Sequence, residues 1–112
     1  SPLSYRDGGN FLTITDCRDG EVVLLTLNAL LRGVLLACER IISFVRLEKR
    51  VAELGLTNHD LNTILDELTK HRLIIKEGTK ILALPMRSAL PSGSSRLLWT
   101  PTNKKGIKMV TL

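Results

Sequence analysis

The thiol and imidazole side chains of this sequence, the groups most apt to grip transition metals or shuttle protons near neutral pH, are Cys17, Cys38, His59 and His71. A metal centre needs ligands clustered at short, regular spacing, and these four form no C-x-x-C or H-x-x-x-H group. Structural roles are expected for all four, with Cys38 a small core residue and both thiols reduced. Asp66 and Glu67 are adjacent carboxylates, but neighbours on a helix do not face each other across a substrate, so they read as a solvated face. The sequence holds no G-x-x-x-x-G-K-[ST] loop, no G-x-G-x-x-G turn and no G-x-S-x-G elbow. No catalytic, cofactor-binding or metal-ligating residues are therefore assigned within this chain.

What remains is recognition chemistry. Arg46, Lys49 and Arg50 follow the i, i+3, i+4 spacing of one helical face and form a basic patch suited to a protein partner or an acidic peptide, partly offset by Glu53. Asn62 and Thr63, on the outward side of a later helix, have the donors and acceptors that read base edges, and Lys76 and Lys80 could touch phosphate. On the same side as Asn62 and Thr63, Asp60, Asp66 and Glu67 outnumber Lys70, and their charge repels a nucleic-acid backbone.

Composition narrows the class further. At 112 residues the chain has room for one modest core. Apolar residues make up 44% of it and aromatics only 4%, so that core is built from Leu, Ile and Val. The formal charge of +5 is unevenly placed: residues 1–86 carry eleven basic and eleven acidic side chains, and Arg87, Arg96, Lys104, Lys105 and Lys108 supply the excess. A neutral body with a basic tail argues against a duplex-binding body. The richest apolar run, Val22 to Ile42, is interrupted by Arg32, Glu39 and Arg40, so no membrane span is expected. The start, Ser1-Pro2-Leu3, lacks an initiator Met and the order of a signal peptide, from which a fragment or trimmed product in the cytoplasm is expected.

The elements that must position these residues follow from periodicity. A polar lead over residues 1–10 precedes a strand over Phe11–Thr15, and Glu21–Leu25 returns as a second strand across Asp19-Gly20. From Leu27 the period becomes helical: Leu27, Leu30, Leu31, Val34, Leu35, Cys38 and Ile42 share a face, with Thr26 as N-cap. Ser43 caps a second helix facing Phe44, Leu47, Val51 and Leu54 inward, closed by Gly55; a single bent helix is the alternative. Thr57 with Asp60 opens a third helix bearing Leu61, Ile64, Leu65 and Leu68, and Lys70, His71 and Arg72 suit its negative end. Leu73–Lys76 and Lys80–Leu84 flank Glu77-Gly78-Thr79 as a hairpin stopped by Pro85. Helix, helix, turn, helix, hairpin is a winged-helix order. The expected fold is α+β: a winged-helix-like domain over residues 11–85, with three helices, a C-terminal hairpin wing and a short N-terminal strand or hairpin. Residues 86–112, rich in Pro, Ser, Gly and Lys, are expected as a basic linker-like tail.

The succession Ile14-x-Asp16-x-Arg18, the Leu-rich helix ending Ala37-Cys38, Leu61-x-x-Ile64-Leu65-x-Glu67-Leu68, Arg72-Leu73, Glu77-Gly78 and Leu82-Ala83-Leu84-Pro85 resembles the C-terminal domain of cobalamin-dependent radical SAM enzymes, including those that mature ribosomally made peptides. The resemblance implies an accessory domain that packs on a catalytic core or helps to hold a peptide substrate, in places by strand addition at a sheet edge. It also implies that the iron–sulfur cluster, S-adenosylmethionine and cobalamin belong to the rest of the enzyme, since the C-x-x-x-C-x-x-C motif is absent from this sequence. A winged-helix DNA-binding regulator is the alternative. A homo-oligomer docking through Leu97-Leu98-Trp99 and Ile107 to Val110 is a third reading.

Overall fold

Leu3 and Tyr5, Leu12 and Ile14, and Leu25 and Leu27 are pairs of apolar residues two apart, the spacing that puts both on one face of a strand. All six are buried. The computed structural model describes residues 2–88 and 107–112. They form an α+β fold with three helices and two sheets, in two compact units: Ser1–Leu27 with Pro85–Leu112, and Asn28–Leu84.

In the first unit, strands β1 (Leu3–Asp7), β2 (Leu12–Asp16) and β3 (Val22–Leu27) form an antiparallel meander. The segment read as a polar lead thus contains a strand, because Leu3 and Tyr5 alternate with Ser4 and Arg6. Asp16, almost fully buried, fixes the start of the β2–β3 connection. Its Oδ1 accepts from Arg18 N at 3.1 Å and Arg18 Nε at 2.9 Å, and its Oδ2 from Arg18 Nη2 at 2.8 Å. This two-point grip on a planar guanidinium satisfies a carboxylate that burial would otherwise penalise.

The second unit opens with Asn28, whose side chain accepts from Leu31 N at 3.0 Å and caps α1 (Ala29–Ala37). Thr26 was the expected cap, but Thr26 and Leu27 pair with Thr13 and Leu12 and extend β3 instead. The helix therefore starts later. Leu30 is 51% exposed, and Ile42 falls in β4 (Ile42–Ser43). That short strand separates α1 from α2 (Phe44–Ala52), so there is no single bent helix. Ser43 Oγ accepts from Arg46 N at 3.3 Å. Gly55, at φ +81°, closes the end of α2: Gly55 N donates to Ala52 O and Leu56 N to Val51 O. Leu54 lies beyond the inward face and is 66% exposed.

Thr57 and Asp60 form a reciprocal capping box at α3 (Asn58–Lys70), with Thr57 Oγ1 accepting from Asp60 N at 3.1 Å and Asp60 Oδ2 from Thr57 N at 3.0 Å. The helix buries Leu61, Ile64, Leu65 and Leu68. Burial of that stripe matters more than propensity, since isolated helices shorter than about 15 residues are marginal in water. At its C-terminal end Arg72 adopts φ 57°, and Leu73 N donates to Leu68 O at 2.9 Å. Strands β5 (Ile74–Glu77) and β6 (Lys80–Ala83) then pair antiparallel, with Glu77 opposite Lys80. Only Gly78 and Thr79 connect them. Gly78 has φ +62° while Thr79 does not have positive φ, the pattern of a II′ hairpin turn. The sheet order is β4-β6-β5. Ala83 N donates to Cys38 O and Phe44 N to Thr79 O, both at 2.7 Å, which ties the hairpin to α1 and α2.

The chain then returns to the first sheet. Strand β7 (Met86–Arg87) runs parallel to β1, and β8 (Ile107–Thr111) runs parallel to β3 from Val22 opposite Ile107 to Thr26 opposite Thr111. The sheet therefore has five strands in the order β7-β1-β2-β3-β8, where a short strand or hairpin was expected. Two parts of the segment read as a linker-like tail are strands. Arg96, Leu97, Leu98, Trp99, Lys104 and Lys105 lie outside the described residues.

A cationic cleft as the candidate functional site

The basic residues singled out on the second helix sit on α2 as its spacing requires. Ser43 sets the first turn, buried Leu47 and Val51 turn one side inward, and Arg46, Lys49 and Arg50 are exposed. Arg46 and Arg50 border a cleft of about 420 Å³, and Arg40 joins them from the loop after α1. Its apolar lining comes from Leu36, Ala37, Ile41 and Ile42, and Glu39 is the one acidic residue on the wall. Lys49, one turn-third away on the same helix, does not line it.

Three guanidinium groups against one carboxylate leave the cleft positive. Ion pairs among the described residues join Arg18 to Asp16, His71 to Glu67 and Arg87 to Asp7, and none engages Arg40, Arg46 or Arg50. Cys38, at the C-cap of α1, registers the nearby charge: burial pushes its thiol up to about 11, and the Arg50 charge pulls in the opposite direction. Cys17 is exposed and Cys38 buried, and both are free thiols.

The residues considered for nucleic-acid contact are placed differently. Asn62 and Thr63 are exposed on α3, but the Thr63 hydroxyl donates to His59 O at 3.0 Å. Asp60, at the N-terminal end of the same helix, has its pKa lowered by the bonds it accepts from Thr57 and stays ionised. Lys76 on β5 faces Ile81 in register and Lys80 on β6 faces Glu77, so one of the two lysines already has an opposite charge across the strand pair. The structure does not bring Asn62, Thr63, Lys76 and Lys80 into the cleft.

Arg40 and Ile41 were missed as site residues because Cys38 and Ile42 were read as one continuous helical stripe. The signal available was Ser43: a cap there demands non-helical backbone just before α2, which leaves Glu39–Ile41 as a loop. No group of three or more His, Cys, Asp or Glu able to hold a metal ion occurs among the described residues. No helix among them is long and apolar enough to cross a membrane. Compared with known proteins, the chain matches no family model, no curated protein and no solved structure.

Proposed function

We propose that this chain is a non-catalytic accessory domain, the C-terminal part of a larger radical SAM-type enzyme, that packs on the catalytic core or helps to hold a peptide substrate. The Asn28–Leu84 unit is read as a winged-helix module with β5 and β6 as its wing. The order α1-β4-α2-α3-β5-β6 and the β4-β6-β5 sheet support that reading. The observation that carries the binding role is the cleft, where three arginines without ion-pair partners among the described residues surround apolar side chains. Such a surface suits recognition and has no group to run a reaction.

The cofactors of such an enzyme are not matched by residues of this chain. The chain has two cysteines, Cys17 and Cys38, fewer than the thiolate ligands that an iron–sulfur cluster takes. The test is the coding sequence upstream of Ser1. A continuous frame containing C-x-x-x-C-x-x-C is expected, and an independent short frame beginning near Ser1 removes the proposal.

The alternative, a DNA-binding regulator, draws on exposed Asn62 on α3 and on Lys76 at the hairpin. Gel-shift titration at two salt concentrations decides it. Tight binding with a steep salt slope, lost in Lys76→Glu, favours the regulator, whereas weak binding indifferent to that change leaves the accessory role.

A further inference from the structure

We propose that the cleft between the end of α1 and the face of α2 is a binding site for a carboxylate-bearing polypeptide segment, with Arg46 and Arg50 as its anion grip and Ile41 as its apolar contact. This rests on the reading of the chain as a domain that holds peptide, and it names the class of segment held.

Arg46 and Arg50 stand four residues apart on α2, one helical turn, where side chains lie side by side at about 5–6 Å between Cβ atoms. Two planar forks at that spacing can grip one carboxylate from both sides or two acidic side chains in succession. Arg40 adds a third positive charge from the loop, and the three repel one another unless an anion enters. Ile41 is 61% exposed beside them, and Leu36, Ala37 and Ile42 supply the other apolar side chains of a lining that is otherwise polar.

A cleft of about 420 Å³ accommodates a few side chains of an extended segment. A nucleic-acid strand makes different demands. Its phosphates recur along the whole strand and call for an extended basic stripe, whereas here Arg40, Arg46 and Arg50 meet at one concavity with Glu39 in its wall. Exposed Ile41 also has no use against phosphate. An acidic segment interspersed with apolar residues satisfies both halves of the lining.

The test uses the full 112-residue chain and a fluorescein-labelled, amidated peptide of about ten alternating Glu and Leu residues, with its Gln counterpart and an unstructured oligonucleotide of equal charge as comparators. Fluorescence anisotropy is expected to show the Gln peptide binding at least about tenfold more weakly, and Arg46→Gln and Arg50→Gln each weakening the Glu peptide by about tenfold. Lys49→Gln, which removes the same charge from the same helix outside the cleft, is expected to change binding by less than about threefold. Amide shifts of the unsubstituted chain with the Glu peptide should centre on residues 36–50, which keeps the test independent of whether a variant folds. Equal losses in Lys49→Gln and Arg50→Gln, equal binding of the Gln peptide, tighter binding of the oligonucleotide, or shifts confined to α3 and β5 each overturn the proposal. An independent reading frame with intact peptide binding discards the enzyme context alone; a radical SAM frame without peptide binding discards the cleft alone.

Discussion

Cys38 provides a direct measure of how firmly the Asn28–Leu84 unit is closed. Its side chain is 0% exposed, and burial raises its thiol from 9.0 to about 11. A disulfide reagent can reach it by two routes. In the closed state the raised pKa leaves about a hundredfold less thiolate than an ordinary cysteine has, and the sulfur is covered as well. In an opened state the thiol titrates normally, so the rate is set by the opening equilibrium; an opening that costs about 3–5 kcal/mol slows reaction by roughly 10² to 10⁴. Either route makes Cys38 at least about a hundredfold slower than exposed Cys17. Absorbance traces with Ellman's reagent at pH 8, on the parent chain and on Cys17→Ser, should show one fast and one slow thiol, both becoming fast in denaturant. Comparable rates without denaturant refute the burial argument. The same shift has a pH signature. A thiol whose folded pKa is raised stabilises the fold below the unfolded value near 9, and that contribution is lost as pH rises towards about 11. Urea midpoints should fall between pH 9 and pH 11, and Cys38→Ala should flatten that decline.

Three further outcomes follow from local geometry. Thr57→Ala removes the N-cap of α3 and should cost about 1 kcal/mol in urea denaturation, with Thr57→Ser recovering most of it. Gly78→Ala meets open space but keeps φ at +62°, so backbone strain alone should cost about 1 kcal/mol, and Gly78→Asn less, measured the same way. Deleting residues 107–112 strips β8 from β3 and leaves unpaired those donors and acceptors of Val22–Thr26 that do not bond to β2. The truncated chain should elute as concentration-dependent dimers in size-exclusion chromatography, while an unchanged monomer would mean the edge is protected some other way.

The helices were legible because their signals are local. The capping box at Thr57 and Asp60, the four-residue stripe of α3 and the Gly78 turn each lie within one window of the sequence, and the physics that creates them acts over the same distance. What escaped is non-local. Nothing in Ile107–Thr111 announces a parallel partner more than eighty residues earlier, and Met86–Arg87 is too short to show any period. Ile42 fits a helical stripe because it lies four residues beyond Cys38, and only the pairing of Ile42 and Ser43 with Ile81 and Lys80 makes them a strand. The cleft was half legible for the same reason. Arg46 and Arg50 share a helix with Lys49 and were found by spacing, whereas Arg40 joins them only through the turn that α1 and β4 make together.

The placement of charge within the second unit favours the peptide-binding proposal over the DNA-binding alternative. Residues 28–52, which include α1, β4 and α2, carry five basic and two acidic side chains, while residues 53–84, which include α3 and the hairpin, carry four basic and five acidic. A winged helix that reads DNA presents its third helix and wing to the phosphates, so its positive charge must sit there. Here those elements are net negative, with Asp60 held ionised at the start of α3 and Lys80 set against Glu77. The surplus lies instead on the α1–α2 side, where three of the five basic residues, Arg40, Arg46 and Arg50, border one concavity. Salt would weaken a duplex contact spread over many phosphates steeply, and a contact with only one or two carboxylates less so, because fewer charges are neutralised. A shallow salt dependence for the acidic peptide, beside a steep and weak one for nucleic acid, is the result this distribution requires.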